Sequence, residues 1–414
     1  MTFIGFLNDP VGSISQWLTG LLTSWGFTTG LTAVLLAILG ILVLVIFAMT
    51  LDIGLVWIER KVVARFQDRL GPNRIGPFGL IQPLADIVKL VIKEDLTPAG
   101  ADKVVYNIAP VLAAMSGISL WAILPLSSKI FGVNLNVAVL YLVAAGALGT
   151  LAIIMGGWSS NNKYALLGAF RMVANMVSYE IPMVVVLLIP VILADTMSVQ
   201  GIARAQDGMW FAILSPLAFV IFFICAIAEL GRSPFDLTEA ESELTAGFNV
   251  EYSGMKFGWF YASELLHAFT FGGFIAVLFF GGYGGFFGLE KIGFFSWLNN
   301  PFVQAIVFIA KAMFGYWAIM WVKYSMPRIR IDHMLAFNWK FLTPLSLVVL
   351  VTTAVLNKVL VDLNVPNWGY TLGMFLSNVV IAGVTVEILR NYGRKQRKLE
   401  QALAPARRNQ EQVP

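Results

Sequence analysis

Metal and thiol chemistry are nearly absent from this 414-residue chain, which has one cysteine, Cys225, and two histidines, His267 and His333. A zinc site or an iron–sulfur cluster takes about four Cys or His ligands, so the chain alone can hold neither. Charge is also scarce. Asp, Glu, Lys and Arg make up 13% of the residues, against roughly 25% in soluble domains. No nucleotide-binding glycine fingerprint and no nucleophile–base pair stands out, which argues against a stand-alone enzyme. The first thirty residues carry only Asp9 as a charge and lack the basic start and small-residue cleavage site of a signal peptide, so they are expected to be retained.

Apolar surface is what the chain has in abundance: 58% of residues are hydrophobic and the mean hydropathy is +0.77. A membrane-spanning helix needs about 20 predominantly apolar residues. Nine stretches qualify: 31–58, 104–127, 133–157, 166–193, 210–230, 257–281, 302–324, 341–361 and 370–390. A membrane β-barrel would alternate apolar and polar residues, and runs such as Leu35 to Phe47 do not. The expected fold is all-α, a polytopic transmembrane helical bundle of about nine spans. It divides into an extracytoplasmic N-terminal segment 1–30, a membrane core 31–361, and an extra ninth span with a basic tail, 362–414.

Lys and Arg accumulate in cytoplasmic loops. With the N-terminus outside, the outer segments hold only Lys129, Arg204, Lys291 and Lys358, while 59–103, the later inner loops and the tail hold nearly all the rest. The N-terminus is therefore expected outside an inner (plasma) membrane and the C-terminus in the cytoplasm. The net charge of +4 then reflects orientation, with the tail meeting anionic lipid headgroups and nucleic acid a poor alternative.

The polar segments carry the chemistry. In Glu59 to Pro77, Lys61, Arg65 and Arg69 fall on one helical face before the turns that Gly71-Pro72 and Gly76-Pro77 impose. The cluster reads either as a topological signal or as part of a site. Leu80, Leu84, Ile87, Val88 and Val91 recur at helical spacing opposite Asp86, Lys89 and Lys93, which describes an amphipathic helix in the membrane interface. Such a helix covers a bundle end or forms the wall of a portal for a lipid-soluble molecule.

The loop 229–251 is acidic on the otherwise basic side: Glu229, Asp236, Glu239, Glu241, Glu243 and Glu251 face only Arg232 and Lys256. If 236–247 is helical, Asp236, Glu239 and Glu243 share a face and repel, the condition under which carboxylates exchange protons near neutral pH. A solvated acidic loop is the plainer reading. Ionisable residues within a span are costly and mark function by default; here they are Arg171, Glu180, Glu264, His267 and Lys311. Glu229, Glu264 and Glu180 lie at increasing depth, which suits either a proton path or a set of interhelical pairs.

Four collinear blocks then resemble one family: ERKVVARFQDRLGPNRIGPFGLIQPLADIVKLVIKED, GWSSNNKYALLGAFRMVANMVSYEIP, the segment containing PFDLTEAESELTAGFNVEYSG, and WVKYSMPRIRIDHMLAFNWKFLTP. They are similar to the H subunit of bacterial NADH:quinone oxidoreductase (complex I), the ND1 family, over about 59–344. The resemblance implies a membrane protein at the junction of two arms, next to peripheral-arm and antiporter-like partner subunits. Quinone, ubiquinone or menaquinone, would be the substrate, with FMN and iron–sulfur clusters only in partners. It implies quinone-tunnel positions at Arg60, Arg65, Asp86, Lys89, Arg232, Phe235 and Asp236. It implies proton-coupling positions at Glu180, Glu229, Glu239, Glu241, Glu243, Glu251 and Glu264, to which the intramembrane His267 and Lys311 are added. The chain departs from the pattern at Leu230-Gly231 (usually Thr-Asn), Leu265 (usually Tyr), His267 (usually Asn) and Lys323 (commonly Arg). The alternatives are the homologous membrane component of a hydrogenase or related dehydrogenase and, from another class, a secondary transporter or channel, although no internal repeat supports the latter.

Overall fold

A computed structural model describes residues 9–236, 247–284, 287 and 297–410, and of 395–410 the backbone alone. Its α-helices run α1 Pro10–Ser24, α2 Thr29–Phe66, α3 Gln82–Ile92, α4 Lys103–Trp121, α5 Ala138–Ser159, α6 Lys163–Ala194, α7 Val199–Ala205, α8 Phe211–Leu214, α9 Pro216–Glu229, α10 Gly254–Phe279, α11 Pro301–Ser325, α12 Ile331–Phe337, α13 Thr343–Asp362 and α14 Asn367–Gln410. Among the described residues eight helical segments are long and apolar enough to cross a membrane, and α9 is a shorter apolar helix. The chain is a polytopic helical membrane protein.

α10 is the central element, packed on α4, α11 and α2. Its apolar side chains from Ala268 to Phe279 are buried. The crossing with α11 depends on two glycines: a Cβ on Gly272 would lie 2.6 Å from the Ala312 carbonyl oxygen, and one on Gly315 would meet Gly272 at 3.0 Å. Small residues let helix backbones approach where lipid gives no hydrophobic drive to associate. The outer helices α2, α13 and α14 instead present Leu, Ile and Val outward, the surface a bilayer requires.

Prolines inside helices free carbonyls that cannot be left bare in lipid. Pro182 in α6 frees the Ser178 oxygen, and the buried Asn338 amide donates to it at 2.6 Å. Pro110 in α4 frees the Tyr106 oxygen, which accepts from the Tyr252 hydroxyl at 3.2 Å while the two tyrosine rings stack at 4.1 Å. Asn338 opens a π-helical turn, Asn338–Leu342, between α12 and α13. At Pro182 and Pro110 a polar residue thus arrives from a neighbouring segment.

Two local expectations are corrected, and a third is not reached by the described residues. The span expected over 210–230 is broken at Ser215, whose φ/ψ of −137°/72° follows from the bias that Pro216 imposes on its predecessor; Asn378 of α14 covers the gap, bonding Ser215 Oγ at 3.1 Å and the Leu214 oxygen at 3.4 Å. α2 ends at Phe66, where Asp68 turns left-handed (φ 51°) and the Arg69 N–H closes on the Ala64 oxygen at 2.8 Å. Arg69 is therefore not on the helical face of Lys61 and Arg65. The expected helix over 236–247, with Glu239, Glu241 and Glu243, lies outside the described residues apart from its ends.

Candidate functional site

The site is set by how α9 ends. Gly231 takes φ +59°, its N–H bonding the Ala228 oxygen at 3.1 Å and the Arg232 N–H reaching the Ile227 oxygen at 3.3 Å, the paired bonds of a glycine-terminated helix. This reversal turns Arg232 back into the bundle, where it is 1% exposed. Its guanidinium lies 3.6 Å from Glu59 of α2 and 3.3 Å from Glu264 of α10. No guanidinium nitrogen makes an aligned hydrogen bond with a described residue, so the contacts are ionic. Burial opposes the charge, but Glu59 and then Glu264 outweigh it and raise the Arg232 pKa above its ordinary value.

Glu59 collects further partners, all from α11. Lys323 Nζ donates at 3.0 Å, the Tyr324 hydroxyl at 2.6 Å and the Tyr316 hydroxyl at 3.4 Å. Two carboxylates thus meet two cations.

Next to this cluster lies a cavity of about 110 Å³ whose polar lining includes Glu180, Glu229, Asn249, Tyr261, Ser263, Glu264 and His267. Most of the rest is apolar, including Met172, Met176, Phe248 and Phe260, and among the described residues no Lys or Arg lines it. Glu229 ends α9 almost fully buried, its Oε2 without a hydrogen-bond partner among the described residues, and Asn175 of α6 ties α9 in place by bonding the Ala228 oxygen at 3.2 Å. Glu264 belongs to both the cavity and the ionic cluster.

The structure brings together Glu180, Glu229, Glu264 and His267 at the cavity, and Arg232 with Glu264. Phe235 is buried against Tyr179, ring centres 4.9 Å apart, and Asp236 follows it at the edge of the described loop. On the first loop, Arg60 pairs with Asp86, which also has Lys89 at 3.7 Å. That pairing pins α3 to α2 while Leu84, Val88 and Val91 stay exposed; Arg65 is exposed nearby. Two residues lie apart. Glu251 accepts from the Asn162 amide at 2.7 Å, beside the α5–α6 turn. Lys311 caps the end of α10, donating to the Phe280 and Gly284 oxygens at 2.8 and 2.5 Å over the Trp210 ring.

Asp52 was missed from the sequence. It sits two turns before Glu59 on α2, 6% exposed, with Oδ1 lacking a hydrogen-bond partner among the described residues. An acid inside the apolar run 31–58 was the available signal.

Residues 37–354 match the family model described as NADH dehydrogenase. The chain belongs to the NADH dehydrogenase family. Among curated relatives, it is 44% identical over 310 residues to the H subunit of NADH-quinone oxidoreductase from Dehalococcoides mccartyi (strain CBDB1), covering 75% of this chain and 83% of that protein. It is 43% identical over 314 residues to the H 1 subunit of the Geobacter metallireducens enzyme (74% and 91%), and 40% identical over 340 residues to the H subunit from Phocaeicola vulgatus (81% and 94%). The family match covers Glu59, Arg232 and every described cavity residue.

Proposed function

We propose that this chain is the membrane subunit of a proton-translocating NADH:quinone oxidoreductase, forming one wall of the quinone tunnel and passing the effect of quinone reduction to the membrane carboxylates. The observation that carries this reading is Glu264, which faces Arg232 at 3.3 Å on one side and the cavity of Glu180 and Glu229 on the other. A proton gained or lost at the tunnel changes the charge that Arg232 meets, and Glu264 relays that change to acids that share the cavity wall with no Lys or Arg among the described residues. The exposed apolar side of α3, held by Arg60–Asp86, suits a portal for a lipid-soluble quinone. The chain supplies no redox group; FMN and iron–sulfur clusters belong to partner subunits, with antiporter-like subunits receiving the signal. We place the basic loop 59–103 on the cytoplasmic face of the plasma membrane by charge bias.

The test is quinone reduction and proton pumping in membranes carrying Glu229→Gln or Glu264→Gln, with assembly checked on native gels. Loss of pumping in an assembled complex is the expected result. Pumping at the unaltered rate in both variants would reduce the chain to a scaffold.

A further inference from the structure

His267 is held in a way that neither packing nor a simple helix cap requires. Its Nδ1 lies 2.7 Å from the Ser263 carbonyl oxygen and 3.2 Å from Ser263 Oγ, and its Nε2 lies 3.2 Å from Ser116 Oγ of α4. A carbonyl only accepts, so the hydrogen belongs on Nδ1. Nε2 is then the nitrogen that can be bare or protonated, and its neighbour is a hydroxyl.

The serine is equipped for both states. Ser116 Oγ also lies 2.7 Å from the Ala113 oxygen, and that oxygen receives the Ser263 hydroxyl at 2.7 Å as well. When Nε2 is bare, Ser116 can donate to it, and Ala113 keeps the Ser263 bond. When Nε2 carries a proton, it donates to Ser116 Oγ, whose own hydrogen returns to Ala113. Neither state leaves a buried polar atom of this group without a hydrogen-bond partner.

The slot is shaped for the ring. A Cβ on Gly117 would lie 3.2 Å from both Cε1 and Nδ1 of His267, and one on Gly149 would lie 3.3 Å from Ser116 Oγ. The same imidazole lines the cavity with Glu264 on its own helix, Glu180 from α6 and Glu229 from α9, while α4 contributes the uncharged Ala113 and Leu120.

We propose that His267 is a proton-exchanging group of this cavity, taking a proton at Nε2 from a cavity carboxylic acid and returning it, with the Ser116 hydroxyl turning between His267 and Ala113 as it does so. The transfer leaves a carboxylate and an imidazolium, so the net charge of the cavity is unchanged. This rests on the proton-coupling function proposed above. It adds to the acids a base that gives the cavity a protonated form without an ionised acid standing alone.

The experiment uses the assembled complex in membranes, comparing His267→Gln, Ser116→Ala and Glu264→Gln. It measures protons pumped per quinone reduced across pH, together with redox-induced infrared difference spectra. His267→Gln is expected to keep quinone reduction but to remove one limb of the pumping–pH profile and an imidazole band. Ser116→Ala is expected to keep both while displacing that limb by roughly half to one pH unit. A profile and spectrum unchanged in His267→Gln, with Glu264→Gln inactive in pumping, would overturn the role of His267 and leave the cavity reading intact; unchanged pumping in Glu264→Gln would overturn the cavity reading instead. If His267→Gln does not assemble, Ser116→Ala decides: an unmoved limb refutes the proposal.

Discussion

Replacing Arg232 with alanine tests the ionic cluster most severely. Its guanidinium is 1% exposed and faces Glu59 and Glu264. Removing one partner of a buried ion pair costs about 3–5 kcal/mol, chiefly because the remaining charge stays desolvated. The two acids do not share that loss equally. Glu59, whose side chain is 5% exposed, keeps Lys323, Tyr324 and Tyr316. Glu264 is 26% exposed and opens to the cavity, so hydration and protonation soften its position. Arg232→Ala is therefore expected toward the lower end of the range, about 3 kcal/mol. Glu264→Gln, which leaves Arg232 with Glu59, is expected to cost about 1 kcal/mol, the scale of one ordinary polar contact. Thermal inactivation of the solubilised complex, alongside native gels, reads both. The ordering is the sharp part: if Glu264→Gln destabilises as much as Arg232→Ala, Arg232 is held mainly by Glu264 and the cluster has been misread.

Gly272→Leu should abolish assembly, because even a Cβ there lies 2.6 Å from the Ala312 oxygen and 2.8 Å from the Tyr316 nitrogen; a stable complex on native gels would contradict the tight crossing. Tyr252→Phe keeps the ring stack on Tyr106 but strips the donor from the carbonyl that Pro110 frees, and should lower stability by about 1–2 kcal/mol with pumping per quinone unchanged. Lys311→Met removes the donor to the Phe280 and Gly284 carbonyls; reduced thermal stability with an unaltered pumping ratio is expected, and a changed ratio would return Lys311 to the proton path. Asp52→Leu removes a buried carboxylate whose Oδ1 lacks a hydrogen-bond partner among the described residues and should leave stability equal or higher; a drop of several degrees in inactivation temperature would mean that Asp52 has a partner beyond those residues.

The helices were readable because lipid demands long apolar runs, and each stretch named from the sequence corresponds to a helix or a broken helix. Breaks and boundaries were less readable. Ser215-Pro216 looked like the interior of a span because hydropathy does not register that Asn378, far along the chain, can bond the gap. At the site, Glu264 and His267 could be placed together from their three-residue spacing. The link from Arg232 to Glu59 could not, since it depends on the left-handed turn at Gly231 and on how α2 packs. Leu230-Gly231, which the sequence marks only as a departure from the family pattern, contains the residue that reverses the chain. Glycine adopts that conformation without strain.

The charge arrangement argues for why one residue should connect the two halves of the site. Glu59, Glu264, Arg232 and Lys323 make a balanced set, two acids and two bases. The cavity beside them has carboxylates and no Lys or Arg among its described lining residues. A balanced buried set resists change at a member whose partners all belong to it or its surroundings, as with Glu59, held by Arg232 and by Lys323, Tyr324 and Tyr316 of α11. Glu264 alone among the four also faces the cavity, so a proton placed on it unbalances the set by one charge and leaves Arg232 to Glu59. Linkage makes the effect reciprocal: whatever draws Arg232 away from Glu264 must raise the affinity of Glu264 for a proton by the same free energy with which protonation releases Arg232. The coupling then needs no large motion of the helices, only the guanidinium shifting between two acids that it already touches without an aligned hydrogen bond.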